Sequence, residues 1–186
     1  MNRNRFFVLT LAIVSGVSVM TAVETVSFLG RSYGLASFNQ KAAPMWEFTS
    51  GKETVGNWTN LLTILDRPDA KTRQDLDRLA QGVMDHYKAN GGNVLMARTM
   101  GTQQNPYNYM VVAFAQPAEH RIELNFVKVA LGAKNAYVVI YGERIHDPKD
   151  PSAKAKAFLH ERSAEIGMAL EKAVLPAIDT LPRKTF

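Results

Sequence analysis

Between Asn93 and Ile145 the chain repeats one pattern: an apolar run, then a short polar link, with no helical stripe in between. Asn93–Thr99 sets Val94, Met96 and Arg98 along a strand. Tyr109–Gln116 is almost continuously apolar, which suits a strand covered on both faces. Arg121–Val129 alternates through Ile122, Leu124 and Phe126, then changes phase to Val127 and Val129, which predicts a bulge. After the turn Leu131–Asn135, Ala136–Ile145 is a further hydrophobic strand. Links this short join antiparallel neighbours, because a parallel pair needs a crossover of a dozen or more residues. The pattern demands an antiparallel meander.

Two helical segments can cover such a sheet. Asp69 is placed to cap the first, in which Leu76, Leu79, Ala80, Val83, Met84 and Tyr87 recur at helical spacing. Gly91-Gly92 ends it. Ser152 is placed to cap a last long helix, with Phe158, Leu159, Ile166, Leu170, Ala173 and Val174 inward and Pro176 ending or kinking it. Upstream, Met45–Thr49 and Asn57–Leu65 read as two more strands, the second closed by Pro68. The order β-β-α-β-β-β-β-α predicts an α+β fold, a mostly antiparallel sheet of about six strands flanked by two long helices in an α/β/α sandwich.

The N-terminus carries a compartment signal. Met1–Arg5 is short and basic, and the 17 residues Phe6–Ala22 hold no charge and are mostly apolar. This is the layout of an export signal. Cleavage after Ser18, Ala22 or Ala36 each has a partial fit. A retained segment over residues 6–22 would anchor the chain in the inner membrane with the domain outside. Either way the expectation is a periplasmic or exported protein. Phe28–Pro44 mixes Gly, Ser, Asn and Gln without a sustained period and reads as a tether. The domain plan is a signal or anchor plus tether over 1–36, one domain over 37–180, and a mobile tail over 181–186.

Composition excludes several classes. The chain has no cysteine, so disulfides, thiolate metal sites, lipoprotein anchoring and cysteine nucleophiles are all absent. Lys and Arg outnumber Asp and Glu by 22 to 17, but three of the basic residues and only one of the acidic ones precede residue 37. The remaining surplus is small and interspersed, which argues against nucleic acid as a partner. Membrane contact is expected only through the N-terminal segment.

Catalytic and metal-binding patterns are missing. His160-Glu161 opens like a zinc-protease motif, but Ala164 stands where the second histidine is needed. His146-Asp147 with Asp150 is the best local ligand cluster, yet Lys149 and two prolines make it a solvated turn. No nucleophile elbow, phosphate loop or dinucleotide fingerprint occurs. The expectation is no catalytic residue, no metal and no cofactor. Trp46 and Trp58 read as core aromatics. The segment Gln103–Tyr109 is long for a hairpin link, and Gln104, Tyr107, Asn108 and Tyr109 are its candidate partner-binding residues.

The segment Trp46-Glu47-Phe48, Gly51-Lys52-Glu53-Thr54 and Asn57–Ile64 resembles the opening of small bacterial proteins of the Mog1/PsbP type. The resemblance would extend over residues 45–178. It implies that fold, and a role in binding or assisting partners rather than catalysis. The function expected is a non-catalytic exported accessory domain that binds a protein partner in the cell envelope. The alternative is a periplasmic small-ligand or metal binder built between a sheet face and a helix.

Overall fold

The computed structural model describes residues 25–40, 43–147, 149–173 and 180–183. The strands are β1 (Thr25–Phe28), β2 (Arg31–Asn39), β3 (Met45–Ser50), β4 (Asn60–Arg67), β5 (Asn93–Gly101), β6 (Pro106–Gln116), β7 (Arg121–Leu131) and β8 (Ala136–His146). The helices are α1 (Arg73–Ala89) and α2 (Pro151–Lys172). All eight strands form one sheet in the order β1-β2-β3-β4-β8-β7-β6-β5, and every neighbouring pair is antiparallel. Two four-stranded meanders meet where β4 pairs with β8, and α1 carries the chain from β4 to the far edge at β5.

The expected sheet of about six strands is therefore wrong: the described residues form eight, and of the two additional strands β2 lies within the stretch read as a tether, while β1 meets that stretch only at Phe28. The reason is a register shift in β2 between Leu35 and Ser37. Tyr33 and Phe38 are buried and Leu35 packs against the same cluster, so the inward positions fall at 33, 35 and 38 and keep no period of two. The reading of residues 6–22 as signal or anchor lies outside the described residues, as do Val174 and Pro176.

The two helices bury opposite faces of the sheet. Ile166 and Leu170 of α2 join Phe48, Leu62, Leu124 and Phe126 in one cluster. Leu76, Leu79 and Ala80 of α1 join Met110, Val112, Val127 and Val129 in the other. The cover is unequal, which further corrects the expectation of two long flanking helices. α2 has 22 residues and α1 has 17. α1 packs on β5, β6 and β7, leaving β3 and β4 beside it rather than beneath it. The phase change in β7 is not a bulge, because its register with β6 and β8 is unbroken. Its apolar residues switch sides because both sides are covered.

Local chemistry sets the element ends. α1 is capped by Thr72, not Asp69, in a reciprocal capping box with Asp75. α2 is capped by Asp150, not Ser152, with Pro151 in its first turn. At the other end of α2, buried Lys128 Nζ donates to the carbonyls of Leu170 (2.8 Å) and Glu171 (3.1 Å), which the helix itself leaves unpaired. The tail is docked where it is described: Leu181 is buried, and Trp46 Nε1 donates to Pro182 O.

Candidate functional site

The residues expected to form a contact surface do not form one. β6 begins at Pro106, so Tyr107, Asn108 and Tyr109 lie on a strand. Successive side chains on a strand point to opposite faces. Tyr107 and Tyr109 turn inward towards α2 and are 5% and 3% exposed. Lys128 Nζ stands 5.1 Å from the Tyr107 ring centre, and the Arg98 guanidinium 5.9 Å from that of Tyr109. Asn108 is half-buried and accepts from Thr99 Oγ1 at 3.0 Å, while its Nδ2 has no partner. Of the four, Gln104 alone is exposed on the link. Burial of the two tyrosines removes the aromatic part of the proposed surface.

The histidines are dispersed. His86 is exposed on α1 and His160 on α2. His120 takes a left-handed conformation after the 3-10 turn Pro117–Glu119, and His146 ends β8. Asp147 accepts from the backbone N–H of Lys149 and Asp150, and Asp150 from that of Ala153, so both carboxylates serve the turn and the cap. Those contacts hold the Asp147 carboxyl below its ordinary pKa. Among the described residues no three His, Asp or Glu side chains gather as metal ligands.

A concavity follows from the unequal cover. It is a groove of about 740 Å³ between α1 and the part of the sheet that α1 leaves open. Met45, Thr63, Leu65, Val138 and Ile140, from β3, β4 and β8, make its floor. Leu79, Gly82, Val83, His86 and Tyr87 make the α1 wall. The lining is chiefly apolar, and its volume lies within the range of about 300–1,000 Å³ usual for small-molecule sites. The strand order creates this floor: β4 and β8 pair directly although α1, β5, β6 and β7 separate them in sequence.

Polar groups cluster where β4 runs into α1. Arg67 Nε and Nη2 donate to the two oxygens of Asp69 at 3.0 and 2.8 Å. The Arg67 pairing lowers the Asp69 pKa. Arg78 pairs with Asp75, whose carboxylate also accepts from the N–H groups of Lys71 and Thr72. The Lys71 N–H first, then the Thr72 hydroxyl and the Thr72 N–H, hold Asp75 far below the ordinary carboxylate range. Along the wall, burial raises the Tyr87 phenol pKa, and the Tyr87 ring packs against Phe114 at 5.6 Å between centroids. Each rim cation is thus matched by a carboxylate.

Gly82 sets the shape of the wall. It lies inside α1, and a Cβ built on it would meet nothing within 4 Å. A glycine inside a helix costs about 0.5–1 kcal/mol relative to alanine. Here it leaves bare helix backbone facing the groove. Its apolar neighbours at helical spacing gave the sequence signal for α1, but a lone glycine carries no such signal.

A second polar cluster lies on the α2 side. Asn60 Nδ2 donates to Glu143 Oε2 at 2.5 Å, Tyr141 Oη donates to the same oxygen at 2.6 Å, and Arg31 donates to Asn60 Oδ1. The Tyr33 hydroxyl, beside Arg31 and Tyr141, makes no well-formed hydrogen bond. Desolvation raises the Glu143 pKa, against the lowering effect of its hydrogen-bond donors. This cluster ties the β1–β2 hairpin to β4 and β8.

Comparison with known proteins finds no matching family model and no matching curated protein.

Proposed function

We propose that this chain is a non-catalytic, exported domain of the cell envelope that acts by binding, with the groove beside α1 as its binding site. The observation that carries the reading is the pairing of an apolar floor from three strands with a helix wall opened at Gly82. Dispersed histidines and carboxylates committed to caps and turns favour binding over catalysis. Export rests on the charge and hydropathy layout of residues 1–22. Because β1 starts at Thr25, cleavage after Ser18 or Ala22 would spare the sheet, whereas cleavage after Ala36 would remove β1 and much of β2.

Native mass spectrometry of the protein isolated from its own envelope fraction tests both parts. The expected result is a chain beginning after residue 18 or 22, or an uncleaved one in the membrane fraction, carrying a bound small molecule that Gly82→Phe removes. A chain recovered from the cytosol would overturn export. An equal load on the Gly82→Phe variant would overturn the groove.

Partner binding is the second reading, and β5 favours it. This strand forms one edge of the sheet over nine residues, against four for β1 at the other edge. It exposes Leu95 (45%) and Met96 (38%) side by side at a register shift. An apolar edge of this kind can take an added strand from another chain. Leu95→Lys with Met96→Lys is expected to abolish a stoichiometric complex, if one is isolated, without lowering the melting temperature.

A further inference from the structure

Resting on the groove reading, we infer that the occupant is an uncharged amphiphile, an acyl chain with a neutral polar head, lying across α1 at Gly82. Size and charge point the same way. A volume of about 740 Å³ admits one small molecule. The floor offers Thr63 as its polar side chain, so the body of the ligand must be apolar.

The head group is selected by what the rim withholds. Arg67 is held by Asp69 in a two-bond pair, and Arg78 by Asp75. Their charges cancel at that end of the groove. An anionic head that reaches an arginine also meets the like charge of its paired aspartate, and a cationic head at an aspartate meets the paired guanidinium, so either must face repulsion or draw the pair apart. Asp75 is further committed to the Lys71 and Thr72 N–H groups at the start of α1, so displacing it would also uncap the helix. A neutral head meets neither obstacle. It can accept from an arginine or donate to a carboxylate with both pairs intact.

The chain is received at Gly82. With nothing within 4 Å of the Cβ position, the ligand can lie against helix backbone between Leu79 and Val83. Any larger residue would occupy that space.

Three photo-crosslinking probes test this on the full chain in its native membrane fraction. They carry the same diazirine-bearing decyl chain and end in a glycerol ester, a carboxylate or an amine. Labelled peptides are mapped by mass spectrometry. The glycerol ester is expected to label α1 and β4 peptides about fivefold more than either charged probe, a difference of about 1 kcal/mol. Gly82→Phe should reduce that labelling about tenfold, with Gly82→Ala intermediate. A carboxylate or amine that labels as well as the ester, still blocked by Gly82→Phe, would overturn the neutral head and leave the groove standing. Absent labelling of these peptides by all three probes, or labelling unmoved by Gly82→Phe in a variant that melts like the parent, would overturn the groove itself.

Discussion

Trp46 Nε1 donates a 2.7 Å hydrogen bond to the carbonyl oxygen of Pro182, 136 positions further along the chain. Trp46 is fully buried, and its ring packs against Phe38 at 5.3 Å between centroids. Trp46→Phe keeps an aromatic ring in place but leaves Pro182 O without its donor. An orphaned buried polar group costs about 1–3 kcal/mol. Urea unfolding should show a midpoint lowered accordingly at unchanged slope. A variant as stable as the parent would mean that the tail is not held by this bond.

Gly82→Ala should stabilise the protein by about 0.5–1 kcal/mol, because alanine loses less backbone freedom in a helix and meets no neighbour here. The same unfolding measurement reads it. A loss of stability would show that the groove wall is tighter than the free Cβ position implies.

Gly92→Ala should do the opposite. Its Cβ would stand 2.8 Å from Tyr87 O and 2.9 Å from both Phe114 and Val112. Overpacking of this kind costs about 1–3 kcal/mol. The two glycines therefore separate by sign, and equal effects in thermal or urea unfolding would refute the contrast.

Glu143 makes stability fall as pH rises. Burial sets its folded pKa above the ordinary glutamate value of 4.5. Below 4.5 the carboxyl is protonated in both states, and its contribution is complete. As pH rises through the folded value, the unfolded chain has already released its proton, and the contribution is lost. Glu143→Gln keeps an oxygen to accept from Tyr141 and Asn60 without titrating. The parent should therefore lose stability relative to Glu143→Gln as pH rises above 4.5. A difference that is flat with pH, or that grows in the parent's favour, would refute this.

Elements whose period is undisturbed were legible in the sequence. The α1 stripe is the clearest, with Leu76, Leu79 and Ala80 buried and Val83, Met84 and Tyr87 packed beside them. Elements with a broken period were not. β2 hid behind its register shift, and the change of phase in β7 looked like a bulge because helices cover both of its faces. Tyr107 and Tyr109 looked like a displayed pair on a link, yet extending β6 back to Pro106 turned both into the core.

The candidate site was still less legible, because no contiguous stretch encodes it. Local sequence determined the helix of α1, the strands from β5 to β8 and the absence of thiol chemistry, since periodicity, turn residues and composition act between near neighbours. Tertiary structure decided the rest. Pairing β4 with β8 set Thr63, Leu65, Val138 and Ile140 on one floor, and the short reach of α1 left that floor open beside Gly82. Both depend on which distant strands share backbone hydrogen bonds, a choice made by burial of the whole sheet rather than by any single segment.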